Sequence, residues 1–153
     1  MHEQKQVREH LLELLRGGSA HIDLETAIKQ FPVSAINTRL ENSPHTAWEL
    51  LEHIRIAQWD ILDFSRNAHY KEMNFPDDYW PKEDGTEDNW RNSVRQLLDD
   101  LGSMCDLVAD ENTDLYAKIP HGTGQTILRE ALLIADHNAY HLGQLVLIKK
   151  SLV

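Results

Sequence analysis

The stretch Ala135-Asp136-His137-Asn138-Ala139-Tyr140-His141-Leu142-Gly143-Gln144-Leu145 decides the fold. It lies inside a run of helical pattern from about Gln125 to Ser151, with no Pro and one Gly. His137 and His141 are four residues apart, a little over one helical turn, so their imidazoles leave the same face one above the other. Two nitrogens so placed reach one metal ion, and a third ligand must then come from another element. That requirement makes a helix facing this one the next thing to find.

Working outward, the chain reads as helical almost throughout. Val7, Leu11, Leu14 and Leu15 recur at helical spacing and predict a first helix over residues 2–16, stopped by Gly17-Gly18-Ser19. A short extra helix is expected near residues 23–31, capped by Asp23 and ended by Phe31-Pro32. Ser43-Pro44 reads as a cap followed by Pro in the first helical position. From there Trp48, Leu51, Ile54 or Arg55, Gln58 or Trp59, and Leu62 mark a long helix to about Arg66. Residues 67–86, with Pro76, Pro81 and Gly85, read as a long connection. Thr86 caps the next helix, with Glu87 and Asp88 at its positive dipole end, and it continues to about Asp110. A second connection, with Pro120, Gly122 and Gly124, leads to the last helix. Four main helices and no strand give an all-α four-helix bundle with a long crossover, in one domain spanning residues 1–153.

Composition narrows the function. The 25 acidic residues against 15 basic ones give a formal net charge of -10, a field that repels phosphate backbones and anionic lipid surfaces, so nucleic acid and membrane are not expected partners. No apolar run approaches the roughly 18 residues that suggest a membrane span. The opening Met1-His2-Glu3-Gln4-Lys5 has no signal-peptide core, which gives a cytoplasmic expectation. The single cysteine, Cys105, excludes an intrachain disulfide, and its apolar helical neighbours predict a buried, inert thiol.

Of nine histidines, His2 and His10 fall on a polar-rich helix and read as surface residues, while His69 and His121 fall in connections. His53 lies in the middle of the second long helix and is the best third ligand, since bundle metal sites draw on facing helices. His45, two turns earlier, is the second choice. Two sharper sites are excluded. A zinc-protease helix needs Glu directly after its first His, and Asn138 stands there. A di-iron carboxylate site needs Glu three residues before His on two helices, and Leu50 and Ile134 occupy those offsets. A three-His mononuclear site remains, with positions open for water or substrate. Gln144 and Glu130 share the face of the His pair and are candidates to support it. Glu49 and Asp60 flank His53 at one and two turns, as acid/base groups or as solvated, helix-pairing charges. Tyr140 points to one side and reads as packing.

His-x-x-x-His-x-Gly-Gln late in the last helix, with a lone His inside a long earlier helix, resembles the DinB-like superfamily, which includes bacillithiol- and mycothiol-transferase-like proteins. The resemblance extends through His45-Thr46-Ala47-Trp48-Glu49-Leu50-Leu51-Glu52-His53, onward to Asp60, and takes in Asp78-Tyr79-Trp80-Pro81 and Gly124 to Glu130. It implies an up-down-down-up bundle, often homodimeric, with a divalent metal on His53, His137 and His141. Zinc or nickel is the foremost expectation, and iron or manganese is compatible. The resemblance further implies a small-molecule substrate, with a low-molecular-weight thiol among the candidates. The first functional expectation is therefore a metal-dependent enzyme, thiol S-transferase-like or hydrolase-like, whose catalytic residues the sequence does not name. The second is a non-catalytic metal or small-ligand binding protein of the stress-response kind, favoured by the missing glutamate beside the His pair. The third is a structural dimer with core histidines. Residues 20–31 are expected either to cover the cavity mouth as a lid or to pack, since Ile22, Leu24, Ala27 and Ile28 need a surface to bury against.

Overall fold

The computed structural model describes residues 2–152, and the side chains of residues 4–152. The expectation for the His2 side chain lies outside the described residues. Five α-helices account for the fold: α1 (His2–Arg16), α2 (Leu24–Lys29), α3 (Ala47–Arg66), α4 (Glu87–Ala109) and α5 (Ile127–Ser151). Among the described residues the only β pairing is an isolated bridge between Lys118 and Thr126, so the all-α expectation holds.

Caps set most helix limits. Gly17 and Gly18, at φ of 70° and 88°, turn the chain out of α1 through the left-handed region that glycine enters without strain. Asp23 caps α2 by accepting the Thr26 N–H at 2.8 Å. α3 begins later than Ser43-Pro44 suggested. Its cap is Thr46, in a reciprocal capping box with Glu49. The reason is chemical: Glu49, three residues on, reaches back to the Thr46 N–H at 2.8 Å, whereas the residue three beyond Ser43 is Thr46, too short to do so. Ser43 instead donates its hydroxyl to the His45 carbonyl. Thr86 and Asn89 form the equivalent box on α4, and Thr126 caps α5.

α3 packs against both α4 and α5, and α1 covers the other sides of α4 and α5. Glu52 meets Ser93 and Gln58 meets Leu97, so α3 and α4 run in the same direction. Ile54 clusters with Leu142 and Leu145 while Leu62 clusters with Ile127 and Ile134, so α3 and α5 are antiparallel. Arg8 donates to the Val108 carbonyl and Arg16 lies beside Cys105, which sets α1 antiparallel to α4. This is the up-down-down-up order, and it obliges residues 67–86 to return the chain along the whole length of α3, about 30 Å.

The apolar interior forms two clusters. One gathers Phe31, Trp48, Leu51, Ile54, Trp90, Leu97, Leu142 and Leu145; the other gathers Leu11, Leu62, Met104, Val108, Leu115, Ile127 and Ile134. Cys105 is buried in the second as a free thiol, and burial raises its pKa. Leu24, Ala27 and Ile28 of α2 are buried in the first cluster, and Phe31 lies 5.5 Å from Trp90. Residues 24–31 therefore pack as part of the core. Tyr140 is exposed and does not pack into it.

The end of the crossover is clamped onto α3. The Trp48 indole N–H donates to the Glu83 carbonyl at 2.9 Å, and Asn37 exchanges two hydrogen bonds with the Gly85 backbone. A Cβ at Gly85 would stand 2.3 Å from the Trp48 ring. Gly85→Ala should therefore destabilise the protein by about 1–3 kcal/mol through overpacking. Urea unfolding followed by circular dichroism will check this; an unchanged midpoint would refute the clamp.

Candidate metal centre

His53 projects from the middle of α3, and His137 and His141 from adjacent turns of α5. One nitrogen from each lies within 4.8 Å of the others. The Nε2 atoms of His53 and His137 are 3.1 Å apart. Two nitrogens bound at about 2.0–2.1 Å to one ion stand about 3 Å from each other, so this spacing suits a shared cation.

The hydrogen bonds around the rings fix which nitrogen is free. His53 Nδ1 lies 2.9 Å from the Tyr79 carbonyl oxygen, which only accepts, so Nδ1 carries the proton and Nε2 keeps its lone pair. His141 Nδ1 lies 2.6 Å from Gln144 Oε1, with the same consequence. His137 Nδ1 is buried and has no hydrogen-bond partner among the described residues. Packing alone aims its ring, and its one polar contact is the nitrogen of His53. The indole of Trp80 stacks on His53 at 3.9 Å with 3° between planes, and on His45 at 4.0 Å.

Burial, which disfavours the charged imidazolium, is the first cause of lowered pKa values at His53, His137 and His141. Mutual repulsion adds to it, and His137 falls to about 4. All three rings are neutral at pH 7, the form a metal requires. Three neutral, converging imidazoles with two Nδ1 protons tied to oxygens make a donor set that fits a divalent ion.

The other sequence candidates divide by position. Gln144 contacts His141 directly. His45 touches the Trp80 ring and does not join the three-nitrogen group. Glu49 is engaged at the start of α3, in the capping box and with Arg39. Glu130 is buried and paired with Arg129 at 2.8 Å. Asp60 is buried and accepts the Tyr70 and Tyr79 hydroxyls. Tyr79 and Trp80 enter the sequence reading only through the resemblance and Gln58 only as a marker of helical spacing, none of them as a site residue. The signals available were the aromatic pair between Pro76 and Pro81, and a glutamine on the inward face of α3.

A family model described as the DinB superfamily matches residues 19–145. The chain belongs to the DinB superfamily. No curated protein and no solved structure gives a significant match. The DinB match takes in α2, α3 and α4 whole, all three histidines of the cluster and Gln144; it leaves α1 outside.

Folded-state pKa values below the ordinary imidazole range set a direction for stability. Unfolded imidazoles take up protons near 6.5, and the folded rings, His137 at about 4, do so later. Between these limits the unfolded chain binds more protons. The metal-free DinB protein should thus hold full stability above pH 6.5 and lose it as pH falls toward 4. Urea midpoints in chelator at several pH values measure this, and His137→Gln should flatten the slope; an equally steep slope in the variant would count against His137 as a source.

Proposed function

We propose that this DinB protein binds one divalent metal ion through His53, His137 and His141 and acts as an enzyme on a small molecule, with a thiol or water as nucleophile. The observation that carries the reading is the convergence of three neutral imidazoles from two helices, His53 and His141 buried and His137 half-buried, two of them with Nδ1 tied to an oxygen. When bound, such an ion lowers the pKa of a thiol or water and makes a nucleophile available at neutral pH. Zinc or nickel is the proposed metal, with iron or manganese compatible.

The protein's own part is to orient and enclose. The Tyr79 carbonyl and the Gln144 amide each hold a ligand proton at Nδ1, and Trp80 closes one face of His53. Beside Gln144 and His45 lies a cavity of about 380 Å³, lined by the apolar Leu40, Pro44, Leu50, Leu147 and Ile148 and the polar Glu41, Asn42, Ser43 and Ser151. That is the scale of a small-molecule site. Its apolar wall suits the hydrocarbon part of a substrate whose reacting end lies toward His141. The net charge of -10 argues against nucleic acid as substrate. No described helix is long and apolar enough to cross a membrane. The exposed Leu132 and Tyr140 on α5 support a homodimer, in which a second copy would cover them.

One observation favours a second reading, a metal or small-ligand binding protein without turnover. Among the described residues no carboxylate hydrogen-bonds to the three histidines, and Glu49, Asp60 and Glu130 are each engaged elsewhere.

Metal analysis of untagged protein should give close to one equivalent. His137→Ala and His53→Ala should lose it while the helical circular dichroism persists, since packing carries a bundle of this size. Metal content below a small fraction of an equivalent, unchanged in His137→Ala, would sink the proposal. Metal-dependent turnover of a chromogenic electrophile with a panel of thiols, or of esters or amides with water, supports the enzyme; turnover in neither panel selects the binding protein.

A further inference from the structure

Asp60 lies two helical turns beyond His53 on α3, about 10 Å along the axis, and does not touch the histidines. It is only 8% exposed, and both of its oxygens are occupied by hydroxyl donors from the crossover. Tyr70 donates to Oδ1 at 2.9 Å and Tyr79 to Oδ2 at 2.7 Å. Tyr79 then connects two levels of α3: its side chain ends on Asp60, and its backbone carbonyl accepts the Nδ1 proton of His53. The next residue, Trp80, lays its indole flat on the same imidazole.

We propose that Asp60 is a positioning residue for the metal centre: by anchoring the Tyr70 and Tyr79 hydroxyls it seats residues 79–80 on His53, fixes the Nδ1-protonated tautomer and directs Nε2 at the ion. The inference rests on the reading of the three histidines as a metal site. It gives Asp60 a task other than proton transfer, because the carboxylate is buried and each of its oxygens is already engaged by a tyrosine hydroxyl. Burial and the bond to Asp60 both raise the pKa of the Tyr70 and Tyr79 hydroxyls, so both stay protonated donors at neutral pH. An ordinary helix-surface aspartate would be solvated; this one links an otherwise irregular segment to the centre of the bundle.

The test uses the full chain and two ions, Zn(II) and Co(II). Asp60→Asn and Tyr79→Phe are compared with wild type by chelator competition for Zn(II) and by the visible absorption of bound Co(II). The expected result is a loss of about 10- to 100-fold in Zn(II) affinity in each variant, the size usual when a ligand's hydrogen-bonding support is removed. The Co(II) spectrum should change as well, and the double variant should lose no more than the worse single one. Nitrogen-15 NMR of the metal-free protein supplies the second readout, with His53 held Nδ1-protonated in wild type and mixed between tautomers in both variants. Helical circular dichroism identifies a variant that merely fails to fold, and Tyr79→Phe, which keeps the backbone carbonyl, then carries the comparison. Affinities within twofold of wild type, with an unchanged Co(II) spectrum and unchanged tautomer, overturn the proposal and leave the metal site standing. If wild type binds neither ion, the metal reading itself falls, and a His53 tautomer indifferent to Asp60→Asn removes the anchor too.

Discussion

Gln58 ties three helices together at one level, and the bundle's register depends on it. Its amide nitrogen donates to the Leu97 carbonyl of α4 at 2.7 Å, and its amide oxygen accepts from Asn138 of α5 at 2.8 Å. Gln58 is almost fully buried, so a shift of either neighbour would strand polar atoms in an apolar interior, at about 1–3 kcal/mol for each. Apolar packing alone tolerates sliding; a buried amide chain does not. The level it defines is also the seam between the two apolar clusters. On α3 it falls between Ile54 and Leu62, and on α5 between Ala135 and Leu142. His137 and His141 lie within this second interval, on either side of Asn138, and His53 sits at the edge of the first. The imidazoles thus lie in or beside a layer of the bundle that already holds buried polar groups.

The same packing explains the crossover. Because α3 and α4 run in parallel, residues 67–86 must travel back beside α3, and that path carries Tyr70, Tyr79 and Trp80 past the middle of the helix. A two-residue turn between antiparallel helices would have left the outer side of His53 to solvent. Here a topological necessity supplies a carbonyl for its Nδ1 and an aromatic cover for its ring. The clamp at Trp48, Asn37 and Gly85 holds the far end of the segment, and Asp60 holds the near end.

What the sequence disclosed follows the same physics. Apolar periodicity and caps located five helices, and the four-residue spacing of His137 and His141 put them on one face, because both signals are local. Gln144 was legible for the same reason, three residues from His141 on the same helix. The start of α3 was misplaced because two capping serine or threonine residues compete there, and a reciprocal partner at Glu49 decides between them. Sequence places Glu130 on the face of the His pair and leaves Asp60 between an acid/base group and a solvated charge, yet Asp60 receives two tyrosines from a distant segment and Glu130 pairs with its neighbour Arg129. No periodicity governs the 67–86 connection, so contacts of Tyr70, Tyr79 and Trp80 depend on tertiary packing that local pattern does not encode.

The charge at the centre has a consequence for what it would hold. Three imidazoles contribute no negative charge, and no carboxylate among the described residues joins the three-nitrogen group. A divalent ion on carboxylate ligands has part of its charge cancelled; on neutral nitrogens it keeps that charge for the remaining positions. With an ion bound, such a centre would favour an anionic occupant over a neutral one. The acidic exterior therefore does not set the chemistry of the interior. A chain of net charge -10 encloses a cluster of neutral donors in a polar seam, and that contrast is what lets it concentrate positive charge at one point once an ion is bound.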